Sequence, residues 1–302
     1  MPKWLFYTLL SIVLWGIWGI IAKMADAAHV QPMTLQVVST IGVVPASLLL
    51  IASPGFRNNK NVPRGIAFAF TSGLAASCGN LAFFYSLNHG GAASVVAPLT
   101  GMFAIVTLVL SVLFLRERIN AVQVVGMFIS LVAVYLFSIP DDADIQSSLR
   151  SLTHNLAQPW MFYALVALVL FGLASILQKI ATNHISSELS TVGFAIGFIP
   201  VALFLLTQHL PFEMLTARGW ILSLVLGVLI GVGGLALFAA YRDGKASIVT
   251  ALYALYPALT VALAVPLFRE SLDLRKGIAI ATSLLAALAL SYETRPQPNP
   301  GS

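Results

Sequence analysis

Cysteine and charge are both scarce in this sequence. Of its 302 residues one is cysteine, Cys78, and only 9% are charged, where a soluble domain carries roughly a quarter. A single thiol excludes an intrachain disulfide and a metal centre built from thiolates. Histidine does not fill the gap, because His29, His89, His154, His184 and His209 stand apart in loops and at helix ends, without metal-ligand spacing. No P-loop GxxxxGK(S/T) is present, so ATP drive is not encoded, and neither HExxH nor GxSxG offers a hydrolase centre. The basic residues behind the net charge of +5 lie in short loops and form no stripe able to follow a phosphate backbone, which excludes nucleic acid as a partner. No cofactor is implied, and an enzyme is not expected.

What is present is apolar. Hydrophobic residues make up 59% of the chain and the mean hydropathy is +0.92, which predicts an integral membrane protein embedded in a lipid bilayer. Ten runs are long enough to cross the hydrocarbon core as helices, near 4–22, 33–53, 65–87, 93–115, 120–139, 160–180, 189–208, 219–241, 247–268 and 274–292. None alternates as a barrel strand would, so the expected fold class is all-α, with every backbone group bonded within its own span. The first run follows Lys3 and lacks a small-x-small cleavage site, so it is expected to remain as a spanning helix. With the N-terminus inside, ten of the sixteen Lys and Arg residues fall on the inner side and six outside. Arg57, Lys60, Arg64, Arg116 and Arg118 carry most of that bias, and it predicts both termini in the cytoplasm of a cell bearing this protein in its inner membrane. An acidic linker over 140–159 holds Asp141, Asp142 and Asp144, and the tail 293–302 reads as disordered.

The chain also repeats itself. LWGIWGIIAK at 14–23 aligns without a gap to LFGLASILQK at 170–179, pairing Gly16 with Gly172, Lys23 with Lys179 and Trp15 with Phe171. Gly42 and Pro45 pair with Gly197 and Pro200, Arg64-Gly65 with Arg218-Gly219, and the stretch from Ser94 with the stretch from Ser247. Each half, 1–139 and 160–292, holds an odd five spans, so the second copy enters the membrane from the opposite side. Two inverted five-helix repeats predict a secondary transporter, because related halves can exchange conformations around one central site.

Several of these residues carry a family resemblance. The GGAASVVAPL and GKASIVTALYALYP openings of the fourth and ninth spans, their LFLRERI and PLFRESL endings and the WGxWG first helix resemble the drug/metabolite transporter superfamily, EamA type. The likeness covers about residues 5–292. It implies a bundle around a central cavity lined by the first four spans of each half, with the fifth and tenth peripheral, and carriage of small organic solutes, frequently outward. The chain departs from a tidy repeat at Ser271, where the first half has Arg118, and in the pair Tyr253 and Tyr256.

Candidate residues follow from depth and spacing. Trp15 lies near the middle of the first span, away from the interfacial level that enriches tryptophan; with Trp18 it either packs helices or lines a solute cavity. Asn80 is an amide deep in the third span that needs a partner, and its counterpart is Gly234. Gln36 and Gln178 are weaker cases nearer helix ends. Tyr253 and Tyr256, spaced i, i+3, offer ring surface and hydroxyls. Pro98 and Pro257 interrupt the fourth and ninth spans and are expected to bend them at the pathway. Lys23 and Lys179 end equivalent helices at opposite faces, either as snorkelling anchors or as gates. Glu117 and Glu270 read as ion pairs or caps beside Arg116 and Arg269. No carboxylate lies deep in a span, which argues against a pump built on a buried acidic relay. The expected function is secondary transport of amino acids or related compounds, in the export direction, by alternating access. Uptake of a sugar or sugar conjugate is the alternative, and a passive channel or a non-transporting scaffold stands in a different class.

Overall fold

The computed structural model describes residues 2–57, 60–115, 120–138, 158–208, 210–269 and 274–292. Among them, helix is the sole regular structure. Helix α1 is Lys3–Ala27, α2 Pro32–Leu48, α3 Val62–Asn88, α4 Ala93–Gly101, α5 Ala104–Leu115, α6 Ala121–Ser138, α7 Pro159–Thr182, α8 Ser187–Leu206, α9 Ala217–Asp243, α10 Ala246–Tyr253, α11 Tyr256–Phe268 and α12 Leu274–Ser291; short 3-10 turns follow α2 and precede α9. Most of the acidic linker, the tail, Glu117 and Glu270 lie outside the described residues.

Among the described residues, seven helical stretches are long and apolar enough to cross a membrane: α1, α2 with its following turn, α3, α4 and α5 taken together, α7, α8 and α9. Shorter apolar stretches occupy Ala121–Ala133, Tyr256–Phe268 and Gly277–Leu290. Their starts are written locally. Asn61, Ser186 and Thr216 accept from the amides of Arg64, Leu189 and Gly219, capping α3, α8 and α9. Buried hydroxyls mostly bond back to their own helix, as Ser11 does to the Tyr7 carbonyl, Thr100 to Val96 and Ser223 to Gly219, so they need no partner from lipid.

The runs expected as the fourth and ninth spans, 93–115 and 247–268, are each two helices. Pro98 is carried inside α4, and the break falls four residues later at Met102 and Phe103, where the amides turn to i−3 carbonyls. Pro257 stands directly after the break at Ala254 and Leu255. Met102 and Leu255 are equivalent in the repeat although the prolines are not. Only Pro257, lacking an N–H, sits where the helix has to restart.

Packing divides the centre into two walls. Helix α1 packs along α9, and α3 along α7, so each wall takes one helix from each half of the sequence; α1 meets α3, and α7 meets α9, only sparsely. Glycines set the approach at the outer flanks. A Cβ on Gly227 would lie 2.7 Å from the Gly42 Cα, where α9 crosses α2, and a Cβ on Gly197 would lie 2.9 Å from the Gly73 Cα, where α8 crosses α3. Gly42 pairs with Gly197 in the repeat, and Gly73 with Gly227, so the two crossings are equivalent. Two hydroxyls repeat the pattern. Thr260 Oγ1 donates to the Gly16 carbonyl at 3.1 Å, and Thr107 Oγ1 to the Gly172 carbonyl at 3.1 Å, and the donors and the acceptors are both repeat pairs. Helices α6 and α12 pack on each other at the side.

Candidate functional site

A cavity opens between the two walls. About 430 Å³ of space between atoms lies within it, open solvent at its mouth included. Trp15, Trp18, Asn80, Tyr253 and Tyr256 all line it, so the residues singled out from depth and spacing converge on one place. The α1/α9 wall supplies Trp15, Trp18 and Leu237. Facing it, the α3/α7 wall supplies Ala76, Asn80, Phe171, Ala174, Ser175 and Gln178, while Phe103, Phe194, Tyr253 and Tyr256 close the sides.

Aromatic contacts run continuously around the space. Trp15 meets Trp18 edge to face at 5.5 Å and Tyr253 at 6.0 Å; Tyr253 stacks on Tyr256 at 5.5 Å and leans on Phe103 at 5.5 Å, which in turn meets Phe171 at 6.4 Å. Trp18 is backed by Phe83 at 4.9 Å, an arrangement that fixes its ring by packing. The missing side chains of two glycines make room for the rings. A Cβ on Gly233 would stand 3.0 Å from Trp15 Nε1, and one on Gly79 2.7 Å from Phe171 Cε1. These too are repeat pairs.

The polar groups of the cavity are left unsatisfied. Trp15 Nε1, Trp18 Nε1, both Nδ2 and Oδ1 of Asn80 and Gln178 Oε1 are buried without a hydrogen-bond partner. Exposure is 8% at Trp15, 1% at Trp18, 1% at Asn80 and 5% at Gln178. An unmade buried hydrogen bond costs about 1–3 kcal/mol, so five such atoms in one space call for a polar occupant. Elsewhere most buried hydroxyls are bonded to backbone, although Thr34, Ser47 and Ser190 also keep a buried oxygen without a partner; the cavity differs in gathering five such atoms on the residues of one lining. No Lys, Arg, His, Asp or Glu is among the residues lining it. An ion placed there loses several kcal/mol of hydration, whereas an aromatic face returns about 0.5–2 kcal/mol to a cation.

The polarity is lopsided. Asn80 and Gln178 stand opposite Gly234 and Ala22 in the repeat, and the Phe194 ring lies 3.8 Å from where a Gly234 Cβ would be. Both amides therefore sit on the α3/α7 wall and both indoles on the other. Gln36 does not reach the cavity; its Nε2 donates to Ser77 Oγ at 2.8 Å.

The two lysines have different surroundings. Lys179 Nζ crosses from α7 to the carboxyl end of α9, donating to the Tyr241 and Gly244 carbonyls at 2.7 and 2.8 Å, where a cation suits the helix dipole. Lys23 pairs with Asp26 of its own helix at 3.0 Å, and Asp26 Oδ1 is 3.5 Å from Asn88 Nδ2 at the end of α3. Arg269 ends α11 in a left-handed conformation, φ 51°.

Sequence reasoning passed over Phe103, Phe171, Phe194, Ser175 and, as a main candidate, Gln178. Two of these had a signal: Phe171 is the repeat partner of Trp15, and Phe103 of Tyr256.

The family model described as the EamA-like transporter family matches residues 2–139 and 158–292. The chain belongs to the EamA-like transporter family. This EamA chain is 20% identical over 304 residues to an uncharacterized transporter of Clostridium kluyveri, covering 99% of itself and 96% of that relative. It is 29% identical over 137 residues to an uncharacterized transporter of Sinorhizobium sp, an alignment that spans 44% of this chain and 96% of the relative. A solved crystal structure of a protein 15% identical shares the fold, with a TM-score of 0.66 over 95% of this chain and 96% of that one. The EamA chain is thus a multi-pass integral membrane protein of a transporter family.

Proposed function

We propose that this protein is a secondary carrier of amino acids or related compounds with an apolar or aromatic body, working by alternating access in the export direction. The observation that carries the reading is the aromatic cavity with five unsatisfied polar atoms, a space shaped for a solute with a polar end and an apolar body. Ten spans form two inverted halves, 1–139 and 160–292, joined by the linker 140–159, with both termini cytoplasmic in a bacterial cell membrane. The equivalent glycine crossings and the reciprocal Thr107 and Thr260 hydrogen bonds support that symmetry. Exchange of conformation between the halves alternately opens the two faces of the gap between the walls.

Lys179 holds the walls together at one face, and Lys23, through Asp26, does so more loosely at the other. The breaks near Pro98 and Pro257 lie beside Phe103 and Tyr253. The test is counterflow. Liposomes containing the protein and preloaded with an unlabelled amino acid should transiently accumulate the labelled one, saturably and with loss of activity in Trp15→Ala. Linear flux without counterflow marks a channel, and no flux across a panel of amino acids, their amides and sugars overturns transport.

A further inference from the structure

Resting on the carrier reading, and narrowing its solutes from free amino acids to related compounds without charge, we infer that the site selects a solute whose head is an uncharged amide edge, one donor beside one acceptor, and that Asn80 is the residue that reads it. Asn80 is 1% exposed, and both of its side-chain polar atoms lack a partner. A single donor or acceptor on a ligand would satisfy one of them and leave the other orphaned. An amide edge satisfies both at once, as a side-chain amide does when it pairs with a donor and acceptor placed side by side.

The surroundings support the same chemistry. Gln178 Oε1, on the same α3/α7 wall, is an acceptor for the second N–H of a primary amide. None of the lining residues carries a formal charge. An ionised carboxylate or ammonium would lose its hydration without meeting a counter-charge, and a zwitterion would have to desolvate both ends. Because Asn80 and Gln178 face Gly234 and Ala22 in the repeat, the symmetry of the bundle does not extend to the site's polarity. The head group therefore stays on the α3/α7 wall in both access states, with the apolar body against the indoles and tyrosines.

The test is a charge series on one body. 2-Phenylacetamide, phenylacetate, 2-phenylethylamine and phenylalanine share a benzyl group and differ in the head. Binding of each to the purified full chain in lipid nanodiscs, measured by calorimetry at neutral pH, should favour the amide by about tenfold or more. Asn80→Leu should abolish the preference, and Asn80→Asp should shift it toward 2-phenylethylamine, which a purely structural Asn80 would not do. Equal binding across the series, tighter binding of phenylalanine or of either ion, or no binding by any of the four overturns the inference. The wild-type series decides this even if the variants fail to fold. Phenylalanine counterflow without an amide preference would sink this inference and leave the carrier reading standing.

Discussion

Adding one methyl group at Gly73 should separate two helices that touch through their backbones. A Cβ there would meet the Phe194 carbonyl oxygen first and lie 2.7 Å from its carbon, and real carbon contacts sit near 3.5–4.0 Å. The obstacle is main chain, so no side-chain rotation relieves it, and because the oxygen is nearer still, α3 and α8 must part by more than the roughly 0.8 Å that the carbon alone requires. Overpacking of this kind costs about 1–3 kcal/mol, while replacing a helical glycine by alanine returns about 0.8–1.0 kcal/mol. Gly277 is the control, because a Cβ there meets nothing within 4 Å; Gly277→Ala receives the propensity gain alone. The difference between Gly73→Ala and Gly277→Ala is then the overpacking cost itself. It is read from the fraction of folded protein remaining after heating in detergent, followed by fluorescence-detected chromatography. Gly227→Ala, at the equivalent crossing of α9 and α2, should behave like Gly73→Ala. If Gly73→Ala unfolds no earlier than Gly277→Ala, the close crossings are not where the bundle is tight.

Thr107→Val and Thr260→Val each remove one buried hydrogen bond to a glycine carbonyl and should destabilise by about 1 kcal/mol apiece. They share no partner, so in the same heating assay the double variant should lose the sum of the two. Lys179→Met removes both hydrogen bonds from α7 to the end of α9; in a Cys78→Ser background, a cysteine placed at Ala174 should then react faster with an impermeant maleimide applied to that face. Lys23→Met should change labelling from the opposite face less, because the partner of Lys23 is on its own helix.

The helices and most of the site were legible because hydropathy and repeat alignment report depth along a helix. Trp15 and Asn80 stood out since neither suits its depth without a partner, and both line the cavity. What a sequence does not report is which side of a helix faces the gap. Gln178 sits beside Lys179 near a helix end, and only the packing of α7 along α3 turns it inward while Lys179 turns to α9. Pro98 shows the same limit in another form. A proline marks where a hydrogen bond is missing, yet the fourth span breaks at the position equivalent to the break beside Pro257, as though the symmetric packing of the halves, rather than either proline, sets the place.

The central claim is that the gap between the α1/α9 and α3/α7 walls opens at one face while it closes at the other. Spin labels on Ala27 and His89, at the ends of α1 and α3, and in a second sample on Asn183 and Asp243, near the ends of α7 and α9, report the two faces by pulsed electron resonance. Addition of a solute that supports counterflow should shift the two distance distributions in opposite senses, one pair drawing together as the other parts. Two distributions that stay fixed while the protein transports, or that widen together, would contradict the account.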